Sequence, residues 1–364
     1  MLGTRPEMIK LAPVIALLGR RAATVHTGQH FTSAMSEGIS RGLQMPAWST
    51  KLGIGGTRRG SQLGSAIASL DDLFASERPT AVVVQGDTNS ALAGAIAANA
   101  HDIPLVHVEA GLRSFDRRMP EESNRVLTDH LADVCCAPTE GNRRNLLKEG
   151  IPAERIVVTG NTVVEAVSSA LPDQTTRLAT RRRYGLVENE YVLATLHRPE
   201  NVDDELNLRH LLVELAALPL PVVLPLHPRT QKRVEEFGLE LLLRRLTCTE
   251  PLLYREFVTL AHGAALVVSD SGGLQEEVTV LKRPIVVVRR STERPEIEEV
   301  FGTLTPPGAM LGTVLKNWLA TASERHEQLA LLPSPYGDGH ASLRVARLIE
   351  KQATLPTRPL STMT

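Results

Sequence analysis

Ala264-Ala265-Leu266-Val267-Val268-Ser269-Asp270-Ser271-Gly272-Gly273-Leu274-Gln275-Glu276-Glu277 is the stretch whose reading decides the fold. The run from Ala264 to Val268 has no polar alternation, so it reads as a strand buried on both faces of a parallel sheet. It passes straight into Ser-Gly-Gly, after which Leu274, Val278 and Leu281 repeat at helical spacing. A glycine pair at a helix N-terminus bares backbone N–H groups, and the helix dipole adds partial positive charge there. Phosphate suits such a place. Glu276 and Glu277, one turn inside, are placed to receive hydroxyl groups on whatever carries the phosphate. The plainer reading is a glycine N-cap with acids favoured by the dipole.

Working outward, strand and helix alternate along the whole chain. Strand candidates fall at 81–85, 104–108, 133–137, 191–196, 222–226, 264–269 and 284–288. Helical stretches lie between them, at 61–74, 90–100, 139–148, 205–215 and 274–281. Such alternation predicts an α/β chain with two Rossmann-like, doubly wound parallel-sheet domains. The expected division is 1–168 and 169–339, with a helix at about 340–352 packing back on the first domain and a disordered tail at 353–364. The start is odd. Met1-Leu2-Gly3-Thr4-Arg5-Pro6-Glu7 opens as a loop and a helix with almost no strand ahead, so the first strand is expected to be missing or truncated.

At 364 residues the chain exceeds one typical core. Apolar residues at 42% and charged residues at 22% suit a globular enzyme. Aromatics at 3% leave few rings for base stacking, and a net charge of −1 supplies no basic field, so nucleic acid and anionic membrane are not expected partners. No apolar run approaches a membrane span, and Arg5, Glu7 and Lys10 interrupt any signal peptide. Of the three cysteines, Cys135 and Cys136 are adjacent and Cys248 stands alone; with no C-x-x-C, a reducing cytoplasm is the expectation.

Ligands of open α/β sheets bind beyond the carboxyl ends of the strands, so the polar residues that follow each strand matter most. They are Gly3 to Lys10, Gln85 to Asn89, His107 to Arg113, Met119 to Arg125, His197 to Asn201, His227 to Arg229, Ser269 to Gly273 and Arg289 to Glu296. Each has a bland alternative. Asp87-Thr88-Asn89 fits a helix N-cap, Arg294 with Glu296 fits a solvated ion pair, and His197 fits a partly buried structural histidine. The bland readings weaken because so many strand ends carry charge together. No metal is expected: His26 and His30 have i, i+4 spacing, but Thr27-Gly28-Gln29 between them reads as a turn, and H-E-x-x-H is missing. G-x-G-x-x-G and the P-loop pattern are missing too, which removes the usual signals for a nicotinamide cofactor and for nucleotide hydrolysis.

From Gly3 to about Leu348 the chain resembles the non-hydrolysing UDP-N-acetylglucosamine 2-epimerases, whose two Rossmann-like domains face a central cleft in the architecture called GT-B. The resemblance rests on ordered motifs: GTRPExIK (Gly3–Lys10), QGDT (Gln85–Thr88), HVEAGLR (His107–Arg113) and PEExNR (Pro120–Arg125). TGN (Thr159–Asn161), HRxEN (His197–Asn201), SDSGGxQEE (Ser269–Glu277), TERPE (Thr292–Glu296) and PYGDGxAS (Pro335–Ser342) follow. It implies elimination of UDP from C1 with loss of the C2 proton, then reprotonation of a 2-acetamidoglucal and return of UDP. The implied catalytic residues are Lys10, Asp87, Glu109, Glu121 and His197, and the implied UDP contacts are Arg5, Ser271, Gly272, Gly273, Glu277 and Arg294. Crowded carboxylates raise one another's pKa, which would let one stay protonated while another accepts. The resemblance implies no cofactor, a small-molecule nucleotide-sugar substrate and a homodimer. Thr32 stands where many members carry a glutamine lining a second, regulatory substrate site. Three alternatives stay open: a GT-B glycosyltransferase needing an acceptor, an epimerase of a modified UDP-acetamido sugar, and a binding protein without catalysis.

Overall fold

The computed structural model describes residues 1–29, 42–43, 45–56, 58–298 and 300–354; His30, Thr32 and the tail beyond 354 lie outside them. The chain divides into two compact units, one formed by Met1–Ala166 with Tyr336–Thr364 and the other by Val167–Pro335.

In the first unit, β3 (Val82–Gln85), β4 (Leu105–Val108), β5 (Val134–Ala137) and β6 (Ile156–Val158) lie parallel in that order. Val84 pairs with His107 and Val108 with Cys136, so residues that follow neighbouring strands emerge side by side. The apolar runs are buried on both faces because helices cover both. Helix Asn89–Ala100 is buried almost all round, which its alanines permit. A Cβ on Gly94 would stand 3.0 Å from Val84 Cγ1, so the helix axis lies close to the sheet. The helix Ala341–Ala353 at the other end of the chain packs on Arg5–Leu18 in this unit.

The start of the chain carries strand pairing of the shortest kind. Leu2 donates its N–H to the Val25 carbonyl at 3.0 Å and accepts from the Thr27 N–H at 2.9 Å, in parallel register with His26. The Met1 nitrogen donates to the Val83 carbonyl at 3.0 Å. A strand contact one residue deep thus stands between β1 (Val25–His26), which pairs with β2 (Thr50–Lys51), and β3. Hydrophobic patterning cannot register so short a strand, yet it delivers the Gly3–Arg5 loop to the carboxyl edge of the sheet.

The second unit holds a six-stranded parallel sheet. Its order is β12 (Gly302–Leu304), β11 (Ile285–Val287), β10 (Leu266–Ser269), β7 (Val192–Thr195), β8 (Val222–Pro225) and β9 (Thr247–Thr249). The chain winds outward from β7 through β9, then returns beside β7 and winds the other way. The opening stretch is the central strand β10, with no exposed side chain from Leu266 to Ser269.

Candidate active site

Strand order reverses at one place in each unit, and that is where a doubly wound fold presents its ligand site. In the first unit the reversal lies between the Met1–Gly3 segment and β3. Lys10, in the second turn of helix Arg5–Leu18, is buried and forms an ion pair with the buried carboxylate of Glu109. Asn161 Nδ2 donates to the same carboxylate oxygen at 3.2 Å. Glu109 sits at φ 69°, a left-handed conformation that costs a residue with a Cβ about 1–3 kcal/mol and gathers at functional sites. Asp87, just past β3, pairs with Arg125, and Asn124 Nδ2 donates to the Asp87 carbonyl at 2.8 Å.

The capping role that Asp87 might have filled belongs to Thr88, whose hydroxyl accepts from the Ala91 N–H at 3.0 Å. Nor do the two carboxylates crowd each other unaccompanied: Glu109 has Lys10 and Asp87 has Arg125. Glu121 is exposed in the first turn of helix Pro120–Leu131 and has no hydrogen-bond or ion-pair partner among the described residues. Its neighbour Glu122 turns inward to Arg125 at 2.7 Å and accepts the N–H groups of Ser114 and Phe115 at 3.0 and 2.8 Å. Arg5 opens its helix half-buried. Behind it, Glu7 accepts from the Gly3 N–H, Thr4 Oγ1 and Thr88 Oγ1, at 2.8, 2.8 and 2.7 Å. Burial raises the Glu7 pKa despite those bonds. This one carboxyl ties the Arg5 loop to the loop of Asp87.

In the second unit the reversal lies between β7 and β10, and each strand delivers one member of a pair. His197 follows β7 and Asp270 follows β10, with His197 Nδ1 2.9 Å from the Asp270 carboxylate. Asp270 is fully buried and also accepts the N–H groups of His197 and Arg198 at 2.9 Å each and Asn201 Nδ2 at 3.1 Å. Burial opposes its charge, but the nearby imidazole and these bonds outweigh it and hold its pKa at about 2. The imidazole is thereby oriented through Nδ1, leaving Nε2 for a ligand.

Ser271 caps helix Gly272–Leu281 by position, yet its side chain makes no capping hydrogen bond. A Cβ on Gly272 would stand 2.8 Å from an Arg294 nitrogen, so this backbone rests directly on that guanidinium. A Cβ on Gly273 would meet nothing within 4 Å. Arg294 is buried and pairs with Glu276 at 2.6 Å and with Glu293. Glu276 is therefore turned into the protein instead of offering itself to hydroxyl groups. Glu277, with Tyr254 Oη donating to it at 3.2 Å, keeps that possibility.

Sequence reading missed Asp270, Arg125 and Asn161 as members of these clusters. All three lie inside quoted motifs, but their partners stand 73, 38 and 52 residues away along the chain. His26, once weighed as a metal ligand, packs its ring 4.8 Å from that of Trp48.

Comparison with known proteins gives a consistent answer. The family profile described as UDP-N-acetylglucosamine 2-epimerase matches residues 19–350. A UDP-N-acetylglucosamine 2-epimerase of Methanococcus maripaludis is 38% identical over 96% of this chain and 97% of its own. A UDP-2,3-diacetamido-2,3-dideoxy-D-glucuronate 2-epimerase of Pseudomonas aeruginosa is 36% identical over 96% and 98%. The crystal structure of Methanocaldococcus jannaschii UDP-GlcNAc 2-epimerase with UDP-GlcNAc and UDP superposes with a TM-score of 0.83 at 38% identity, covering 96% and 98%.

Proposed function

The chain belongs to the UDP-N-acetylglucosamine 2-epimerase family, and from that premise we propose that it interconverts UDP-GlcNAc and UDP-ManNAc by elimination and re-addition of UDP. It is an isomerase of two parallel-sheet α/β domains, the GT-B arrangement of its structural relatives. One observation carries the mechanistic reading: catalytic-type carboxylates with cation partners and an anion-ready helix start occur together in one chain. A protein that only bound a nucleotide sugar would have no use for the first.

Loss of the C2 proton requires a base, and Asp87, Glu109 and Glu121 are the groups assigned to it and to its return. Lys10 holds Glu109 and supplies positive charge beside it. As the C2–H bond breaks, its electrons form the C1–C2 double bond and the C1–O bond releases UDP as an anion. Arg5, the Ser271–Gly273 amides and His197 Nε2 stabilise the departing diphosphate. Glu277 receives ribose hydroxyls, and Arg294 contributes by bracing Gly272 and Glu276 from behind. Return of a proton to the other face of C2, then of UDP to C1, completes the epimerisation without added metal or cofactor.

Proton NMR of UDP-GlcNAc with the enzyme in deuterated water tests this. UDP-ManNAc should appear carrying deuterium at C2. Epimerisation without C2 exchange would sink the elimination, and turnover only with an added acceptor would favour a glycosyltransferase. The Pseudomonas aeruginosa relative keeps a second reading in play, a modified UDP-acetamido sugar as substrate. Comparing kcat/KM for UDP-GlcNAc with that for the diacetamido uronate separates the two. The same reading carries a homodimer and a cytoplasmic location, to which the free thiols of Cys135, Cys136 and Cys248 are suited; among the described residues no helix is long and apolar enough to cross a membrane. Sedimentation velocity reads the mass.

A further inference from the structure

Helix Pro120–Leu131 inverts the usual rule for a surface helix. Its buried side chains are Glu122, Asn124, Arg125, Thr128 and Asp129, all polar. A helix normally buries an apolar stripe, so this one is held by hydrogen bonds and ion pairs, and the question is what those bonds fix. Asn124 and Arg125 hold Asp87 directly. Asp129, with no exposure at all, reaches further.

One Asp129 oxygen lies 2.6 Å from His107 Nδ1, and the other ring nitrogen, Nε2, lies 2.9 Å from the Gly86 carbonyl. That carbonyl belongs to the peptide joining Gly86 to Asp87. The second Asp129 oxygen accepts the Gly111 N–H at 3.2 Å and pairs with Arg113 at 2.7 Å. Gly111, at φ 83°, lies two residues beyond Glu109, itself at φ 69°. A Cβ on Gly111 would stand 2.5 Å from the Asn142 carbonyl, so this turn is also packed from its far side. One buried carboxylate therefore grips both loops that carry the candidate bases.

We infer that Asp129 is a positioning residue for the proton transfers at C2, aiming Asp87 through His107 and holding the left-handed turn of Glu109 through Gly111. Neither Asp129 nor His107 need touch substrate. The inference rests on the site reading above, and it makes a kinetic claim: loss of the clamp slows the chemical step and leaves the nucleotide, none of whose assigned contacts is bonded to Asp129 or His107, bound as before. A misplacement of about 1 Å at a reacting group costs up to about 100-fold in rate.

The test is a cycle of variants measured for kcat, KM and UDP affinity. Asp129→Asn should lower kcat roughly 10- to 100-fold, with UDP affinity within about twofold of the parent. His107→Gln removes the ring that bridges Asp129 to the Gly86 carbonyl while leaving Asp129 paired with Arg113, and it carries the same test if Asp129→Asn does not fold. Combined with Asp87→Asn, His107→Gln should lower kcat by far less than it does alone, because the group it aims has lost its basicity, whereas Asp129→Asn keeps the part of its loss that runs through Gly111 to Glu109. Additive losses for His107→Gln, or a folded Asp129→Asn or His107→Gln enzyme at the parent kcat, would overturn the inference. So would a fall in UDP affinity matching the fall in kcat. Full activity in Asp87→Asn would overturn the site reading itself, whereas a slow Asp87→Asn beside parent-like clamp variants removes only the clamp.

Discussion

Asp87, Glu122 and Asp270 are three carboxylates near loops or helix starts, and their neighbours give them different work. Glu122 is consumed by Arg125 and two backbone N–H groups, so it shapes the Ser114–Phe115 turn. Asp270 is committed to orienting His197. Asp87 has its cap position taken by Thr88, and its side chain, 30% exposed, keeps a route to solvent and ligand. Asp87→Asn preserves shape and removes basicity, so turnover should fall by about 10²-fold or more while calorimetric UDP affinity is kept. Near-normal turnover in the folded variant would remove Asp87 from the acid–base set. Sequence placed Asp87 and His197 in the site through their motifs; Arg125 and Asp270, equally charged and in the same motifs, were passed over because their purpose is fixed only by contact.

At the scale of elements, the helix start at Gly272 was legible because a buried apolar strand running into Gly-Gly leaves few alternatives. Its orientation was not. Gly272 rests against Arg294 and Glu293, whereas Gly273 faces open space. Gly273→Val should therefore leave the thermal midpoint close to the parent and abolish measurable UDP binding, because the branched side chain occupies the approach to the amides. Calorimetry with UDP decides it, and an unchanged affinity would put the anion site elsewhere. The strands at Ile156–Val158, Thr247–Thr249 and Gly302–Leu304 are three residues long and were not among the expected elements. Their register comes from the neighbouring strand and not from their own pattern.

For the molecule as a whole, the titrating groups that burial perturbs most usefully lie in the Val167–Pro335 unit. His326 Nδ1 faces an Arg283 nitrogen at 3.0 Å and Nε2 donates to the Ala265 carbonyl at 2.9 Å, so the ring is neutral when folded. Burial, with Arg283 beside it, lowers its pKa to about 4; His262, against Arg283, Arg177, Arg181 and Glu188, is lowered to about 4 for the same reasons. A lowered folded pKa means the unfolded chain binds more protons between pH 4 and the ordinary 6.5. The contribution is therefore complete above pH 6.5 and lost as pH falls through that window. Asp270, held at about 2 by its imidazole and backbone bonds despite burial, extends the loss from about pH 4 downward. Calorimetric melting should show the midpoint falling below pH 6.5, and His326→Gln, which does not titrate, should fall less across the same range.

The sequence by itself determined that two doubly wound parallel sheets form, because continuous apolar runs alternating with helical spacing have few other ways to be buried. It also determined which loops gather the polar side chains, since polar residues follow the strands whose interiors are apolar. Only the tertiary structure decided the one-residue strand at Leu2, which depends on a slot between Val25 and Val83. Only it decided that Glu276 points inward at Arg294 while its neighbour Glu277 meets Tyr254. The physical reason is common to both. A strand pattern reports the burial of many side chains together, whereas the task of one charged group is set by the single partner within about 3 Å, and that partner is chosen by how distant segments pack.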